Sequence, residues 1–306
     1  MSFIRTVLGD VDPAELGSTL IHEHLLTSPP PYASQDDPDL EFGDQAGATS
    51  ELEAYAAAGG GGLCELTTVD YGRDVSVAVA ASRASGVHVV QATGMQKGIY
   101  YPAGTSRRDV DDLADEFVAD IEKGIDGTGA KAGVIKVGTC STEAVWDVEA
   151  KVIRAAARAA VRTGAPILTH TQAGHLGSEQ LDLLLDEGLP ADQVCLGHLD
   201  RNIGWEYLRG LVERGAWVGL DQWTKDKYGT DAARADMVRR LVDAGHTRIT
   251  VSGDLGRGRY QPAYGGSPGF AACHAAIRTV LADNAIADLV LIENPARFLA
   301  FRGGNR

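Results

Sequence analysis

Short apolar, β-branched runs alternate along the chain with longer stretches in which apolar residues recur three or four positions apart. The short runs are STLIHEH (18–24), GGLCELT (61–67), GVHVVQATG (86–94), KAGVIKVG (131–138), APILTHT (165–171), QVCLGHL (193–199), GAWVGLD (215–221) and RITVSGD (248–254). Each has the length and near-continuous apolar character of a strand covered on both faces. Between them, TEAVWDVEAKVIRAAARAAVRTG carries a helical apolar stripe that stops at Gly164, and ADMVRRLVDAG stops in the same way at Gly245. Eight strands alternating with helices over 306 residues predict an α/β fold, a (β/α)8 TIM barrel formed by one domain spanning 1–306. A doubly wound open sheet is the alternative, but no GxGxxG follows the first strand. The segment TSPPPYASQDDPDLEFGDQ (27–45) reads as a long loop after strand one, placed where it could cover a site.

Composition narrows the function. With 44% hydrophobic residues the chain can bury a large core, while a net charge of −14 disfavours nucleic acid and anionic membranes as partners and leaves a small-molecule substrate. No apolar run reaches membrane-spanning length and the opening MSFIRTVLGD lacks signal-peptide character, so a cytoplasmic location is expected. Cys64, Cys140, Cys195 and Cys273 are far apart and form no CxxC, which predicts reduced core thiols.

In a (β/α)8 enzyme the chemistry lies at the C-terminal ends of the strands. Of the eight histidines, His22, His24, His170 and His198 fall at such ends, whereas His88, His175, His246 and His274 do not. Residues two apart on a strand share a face, so His22 and His24 turn inward together and Glu23 turns toward the helix layer as a structural partner. Converging imidazoles suit zinc or a similar divalent ion, with manganese and cobalt as alternatives, and Asp254 adds a carboxylate at the same level. Lys136, in the middle of GVIKVG, would be desolvated inside the barrel. It is either paired with a carboxylate or carboxylated by CO2 to N6-carboxylysine, an anion able to bridge two metals.

Read in order, HEH, VIKVG, THT, GHLD and SGD resemble the phosphotriesterase-related branch of the amidohydrolase superfamily, and the likeness runs from TVLGDVDPAELGSTLIHEHL to ENPARFLAF. The resemblance implies a binuclear centre bridged by a carboxylated lysine and a hydroxide. It assigns His22, His24 and Asp254 to one metal, His170 and His198 to the other, and Lys136 to both. Asp254 would be the catalytic proton acceptor, and the family also suggests a homodimer. Where the best-known triesterases and acyl-homoserine lactonases carry an aromatic residue after strand three, this chain has Gln96 followed by Lys97.

Cations gather in the loops despite the acidic total: Lys97, Arg201, Lys225, Lys227, Arg257 and Arg259. TKDKYGTD and GRGRYQPAYGGSPGF further resemble a branch that hydrolyses phosphorylated sugar lactones. Lys97, Lys225, Lys227, Tyr228, Arg257 and Tyr260 are therefore the expected grip on an anionic substrate. The resulting expectation is a metal-dependent lactonase opening a small, polar, anionic sugar lactone. Phosphotriesterase (aryldialkylphosphatase) and N-acyl amidohydrolase activities are alternatives on the same centre, and a non-catalytic binding barrel is a remote one.

Overall fold

The eight apolar runs become eight strands: β1 Thr19–Glu23, β2 Gly62–Glu65, β3 His88–Gly94, β4 Val134–Gly138, β5 Ile167–His170, β6 Val194–Gly197, β7 Trp217–Leu220 and β8 Ile249–Val251. The computed structural model describes residues 2–303. Sequence neighbours pair in parallel from β1 through β8, as strand–helix–strand connections require. Helices α1 Gln45–Ala57, α2 Val75–Ser85, α3 Val110–Glu122, α4 Asp147–Thr163, α5 Gly177–Asp186, α6 Trp205–Glu213, α7 Asp231–Asp243 and α8 Gly269–Leu281 surround them. The strands are shorter than the apolar runs, so His24, His198, Asp221 and Asp254 stand just past strand ends.

Alternation along the strands divides the core. Outward residues such as Leu63, Ile135, Ile167 and Val218 pack on the helices. Inward residues from seven strands, among them Ile21, Cys64, Val90, Val134, Leu168 and Trp217, fill the barrel floor. Ile4 of the N-terminal hairpin (Ile4–Thr6 with Gly9–Val11) and Phe298 and Leu299 near the C-terminus close it from below. Two residues further along β4 and β5, the same inward positions carry Lys136 and His170, so the dry floor supports a polar layer.

In β1 the alternation is interrupted. Leu20 pairs with Leu63 but Glu23 pairs with Glu65, which leaves one extra residue in β1, a β-bulge. Through it Ile21 joins the apolar floor while His22, the next residue, still enters the polar layer.

The seam between β8 and β1 is closed by side chains as well as backbone. His22 N donates to Ser252 Oγ at 3.0 Å and Asp254 N donates to His22 O at 3.0 Å. The Glu23 carboxylate accepts from Ser252 Oγ, Gly253 N and Leu255 N at 2.7, 2.6 and 2.8 Å. Glu23, expected to face the helix layer as a structural partner, is fully buried in this seam, and burial pushes its carboxyl up to about 7. The segment 27–45 also differs from a plain loop: its prolines start a helical turn at Pro31–Asp36 and another at Pro38–Leu40. Cys64, Cys195 and Cys273 are buried free thiols, whereas Cys140 is half-buried.

α4 ends as its sequence indicates, with Gly164 at φ 79°. A side chain there would be strained and would overlap the carbonyl of Arg302, a residue whose backbone N–H donates to Gly164 O at 3.0 Å. Gly164→Ala is expected to lower stability by about 1–3 kcal/mol, read as a shift of the urea midpoint at unchanged m-value.

Candidate metal centre

The polar layer is organised by a residue that the sequence reading passed over. Asp221, just past β7, accepts from His22 Nδ1 at 2.7 Å and from His198 Nδ1 at 2.6 Å, and also receives the His198 backbone N–H at 3.0 Å. Burial alone would raise its carboxyl, but His198 and His22 outweigh burial and hold it well below the usual range. The signal was available: Asp221 closes GAWVGLD as Asp254 closes RITVSGD. Gly197 leaves the space this needs, since a Cβ on it would lie 2.9 Å from Asp221 Oδ2 and 3.2 Å from His22 Cε1.

These bonds fix the imidazole tautomers. With Nδ1–H of His22 and of His198 committed to Asp221, each Nε2 carries a lone pair. Thr67 Oγ1 donates to Leu26 O at 2.7 Å, so it accepts from His24 Nδ1 at 2.8 Å, and His24 Nε2 is likewise free. His170 Nε2 faces the Gln172 carbonyl oxygen at 3.3 Å, which makes that nitrogen the donor and leaves Nδ1 as acceptor. His170 Nδ1 and His198 Nε2 then stand 2.8 Å apart with no proton between them. Two lone pairs at that distance repel unless a cation sits beside them, so the donor set fits a metal. Burial, then Lys136, pushes His22 down to about 3, and burial with Lys97 nearby holds His170 well below its ordinary value. Both are neutral imidazoles suited to ligation.

The expected residues converge from five strands, Lys136 from within β4 and the others from at or just past strand ends. Lys136 Nζ, fully buried on β4, lies 2.8 Å from His22 Nε2, and burial lowers it to about 8. Asp254 Oδ1 lies 3.5 Å from His24 Nε2 and 3.9 Å from His22 Nε2. One ligand atom each from His22, His198 and Asp254 fall within 4.8 Å of one another, so residues expected on the two different metals stand close together. His88, His175, His246 and His274 take no part; His274 Nε2 bonds Ser18 Oγ at 2.8 Å on the far side of the wall.

Above the histidines opens a cavity of about 230 Å³, lined by Lys97, Arg201, Lys225, Tyr228, Arg257 and Tyr260 among others. Its cations differ in their commitments. Lys225 donates to the Asp254 backbone carbonyl and, at 3.2 Å, to Asp254 Oδ2. Arg257 and Arg259 pair with Asp37 and Asp39 of segment 27–45, and that segment brings Leu40 to the cavity wall. Lys227 is exposed at the mouth, stacked on Tyr228 and Tyr260. The Lys97 amine donates to the Gln172 amide oxygen and lies over the Tyr100 ring, and Arg201 stacks on Tyr228 at 4.4 Å. Among the described residues neither has a carboxylate partner.

The loop that carries Gln222, Lys225 and Tyr228 is held from beneath by the buried pair Arg234–Asp200 at 2.7 Å, and Asp200 also accepts from Gln222 N at 2.8 Å. Gln222 Nε2 in turn donates to Asp254 Oδ2 at 2.9 Å. Asp200 closes the GHLD motif, but the sequence assigns no role to it, to Gln222 or to Arg234, because only the fold brings them under the site.

The model of the phosphotriesterase family matches residues 2–299. The chain belongs to that family. Among similar proteins, a phosphotriesterase homology protein of Escherichia coli is 34% identical, over 82% of this chain and 85% of that one. A phospho-furanose lactonase of Mycoplasmopsis agalactiae is 32% identical, over 98% and 92%. The crystal structure of a lactonase from Listeria monocytogenes superposes with a TM-score of 0.93 at 30% identity, over 98% of this chain and all of that one. Family and relatives are metal-dependent hydrolases, and so is this protein; the non-catalytic barrel is set aside. No helix among the described residues is long and apolar enough to cross a membrane.

Asp221→Asn would remove the charge that fixes two tautomers. It is expected to weaken metal retention by about 10- to 100-fold, measured as metal content after dialysis against a graded chelator.

Proposed function

We propose that the protein is a lactonase that opens a small, polar sugar lactone bearing a phosphate or another anionic group. The observation that carries the anionic part is the pair Lys97 and Arg201, two cations that line the cavity beside His170 and His198 without a carboxylate partner. Like charges brought together in a confined site repel, and a bound anion relieves this through charge-assisted hydrogen bonds. Lys225, Lys227, Tyr228, Arg257 and Tyr260 would complete the grip at the rim. The lactone part is supported by the phospho-furanose lactonase and lactonase relatives, each similar over nearly its whole length.

In this reading His22, His24 and Asp254 would hold one divalent ion and His170 and His198 another, with Lys136, as its N6-carboxylated form, between them. The mix of imidazole and carboxylate donors suits zinc first. When bound, the ions supply Lewis-acid polarisation of the ester carbonyl and a lowered pKa for water. The protein's own residues do the rest. Burial alone would raise Asp254, but Lys225 and His198 outweigh it and keep the carboxylate ionised, ready to take a proton from the attacking water. Gln222 and Lys225 orient it through Oδ2. As the water oxygen bonds to the acyl carbon and the ring C–O bond breaks, that proton passes from Asp254 to the leaving alkoxide, giving the hydroxy acid. The apolar floor below keeps bulk water out of the layer.

Two experiments test this. Lys136→Ala is expected to bind fewer than two ions per chain and to lose at least about a hundredfold in kcat, since no bridging anion remains; wild-type activity would exclude the carbamate. In a hydrolysis screen of neutral lactones, phosphorylated lactones, triesters and N-acyl amides, the phosphorylated lactones are expected to be fastest. Lys97→Met and Arg201→Met should each cost them about tenfold in kcat/KM and leave neutral lactones unchanged. Equal rates on neutral and phosphorylated lactones would remove the anionic reading, and a dominant triester or amide rate would favour those activities instead.

A further inference from the structure

Glu23 stands between His22 and His24 at the end of β1 and points away from the polar layer, yet its contacts lead back to that layer from the other side of the seam. Its carboxylate takes the Ser252 hydroxyl and the N–H groups of Gly253 and Leu255. The two amides bracket Asp254. The β7–β8 ladder pairs residues only as far as Val251 with Leu220, so residues 252–255 lie beyond regular strand pairing. Asp254 itself has φ 48°, in the left-handed region, which costs a non-glycine residue free energy unless its neighbours impose it.

What imposes it is a closed set of bonds to β1. The His22 carbonyl accepts the Asp254 N–H, Ser252 Oγ accepts the His22 N–H, and Glu23 holds the positions on both sides. Gly253 leaves no room for a side chain, since a Cβ there would meet Cys273 Sγ at 2.8 Å and Leu255 at 2.9 Å, so the backbone before Asp254 lies close against its neighbours.

We infer that Glu23 is a positioning residue: it clamps the backbone on either side of Asp254 and so sets that carboxylate's approach to His22 and His24. The backbone of HEH thus delivers two imidazoles to the centre, and its middle side chain delivers the carboxylate that joins them. A carboxylate is required because three donors converge on it. An amide of the same shape offers one acceptor oxygen and turns an NH2 toward one of the donors. The inference rests on the reading of Asp254 as metal ligand and proton acceptor.

Glu23→Gln tests it, with wild type measured in parallel. The variant is expected to lose about 10- to 100-fold in kcat on a phosphorylated lactone while KM stays within about twofold. Independently of any substrate, it should lose one of two zinc ions on dialysis against a chelator that leaves both in wild type. Unchanged kcat and metal content would overturn the inference. So would a lowered melting temperature with wild-type kcat and metal content well below it, because that describes a purely structural buried carboxylate. If Glu23→Gln does not fold, Ser252→Ala decides: it removes one of the three donors, and a drop in kcat of about threefold or more at constant KM supports the clamp, whereas wild-type kcat overturns it. A wild-type protein that holds no zinc would overturn the metal-centre reading and the clamp with it.

Discussion

One ionised carboxylate, that of Asp221, determines the state of the whole polar layer. It is buried where an unpaired charge would be costly, and the partners that compensate it are two imidazole N–H groups, a backbone N–H and the Gln222 amide. Satisfying Asp221 leaves the remaining nitrogens of His22 and His198 as acceptors; His22 Nε2 faces the Lys136 amine, but His198 Nε2 faces another acceptor, His170 Nδ1. The layer is thus electrostatically incomplete by construction, and a cation is the simplest group to complete it. The same carboxylate explains why Gly197 is bare on its inner side and why His198 leaves its strand in a left-handed conformation, φ 60°.

The barrel frame makes that arrangement possible by separating two environments within one lumen. Below, side chains from seven strands pack into a dry floor; one layer up, β1, β4 and β5 and the residues just past β1, β6, β7 and β8 present nitrogen and oxygen. The bulge in β1 reconciles the two levels, since without the extra residue Ile21 and His22 could not both face inward. A charged layer resting on an apolar one also makes local electrostatics stronger than the same groups would have in water. That is why an acidic protein can still present a cationic cavity: loop residues such as Lys97 and Arg201 act at short range, whatever the sign of the whole surface.

Much of this was legible in the sequence. All eight strands and the two helix stops at Gly164 and Gly245 appear where apolar runs and terminating glycines put them, because those signals are local. His22, His24, Lys136, His170, His198 and Asp254 were legible as a group because strand ends in a barrel converge whatever the intervening chain does. Asp221 was missed because a lone aspartate after a strand looks like a turn residue. Its role depends on His22 and His198, 199 and 23 residues away. The pairings of Arg257 with Asp37 and Arg234 with Asp200 were invisible for the same reason, and the bulge in β1 leaves no mark in the residue pattern. The helical turns in 27–45 could have been suspected from Pro31 and Pro38, each of which opens one.

The seam also orders events in time. Glu23 is joined to residues 229 to 232 positions further along the chain, so during synthesis it leaves the ribosome long before its partners exist. Until then β1 has an open edge, a buried-type carboxylate without donors, and two histidines without a frame. Closure of the ring must be a late event that brings distant ends of the chain together, the kind of step that slows folding. The nascent chain therefore carries the first two imidazoles of the polar layer long before Asp254, the last of its residues, has been made.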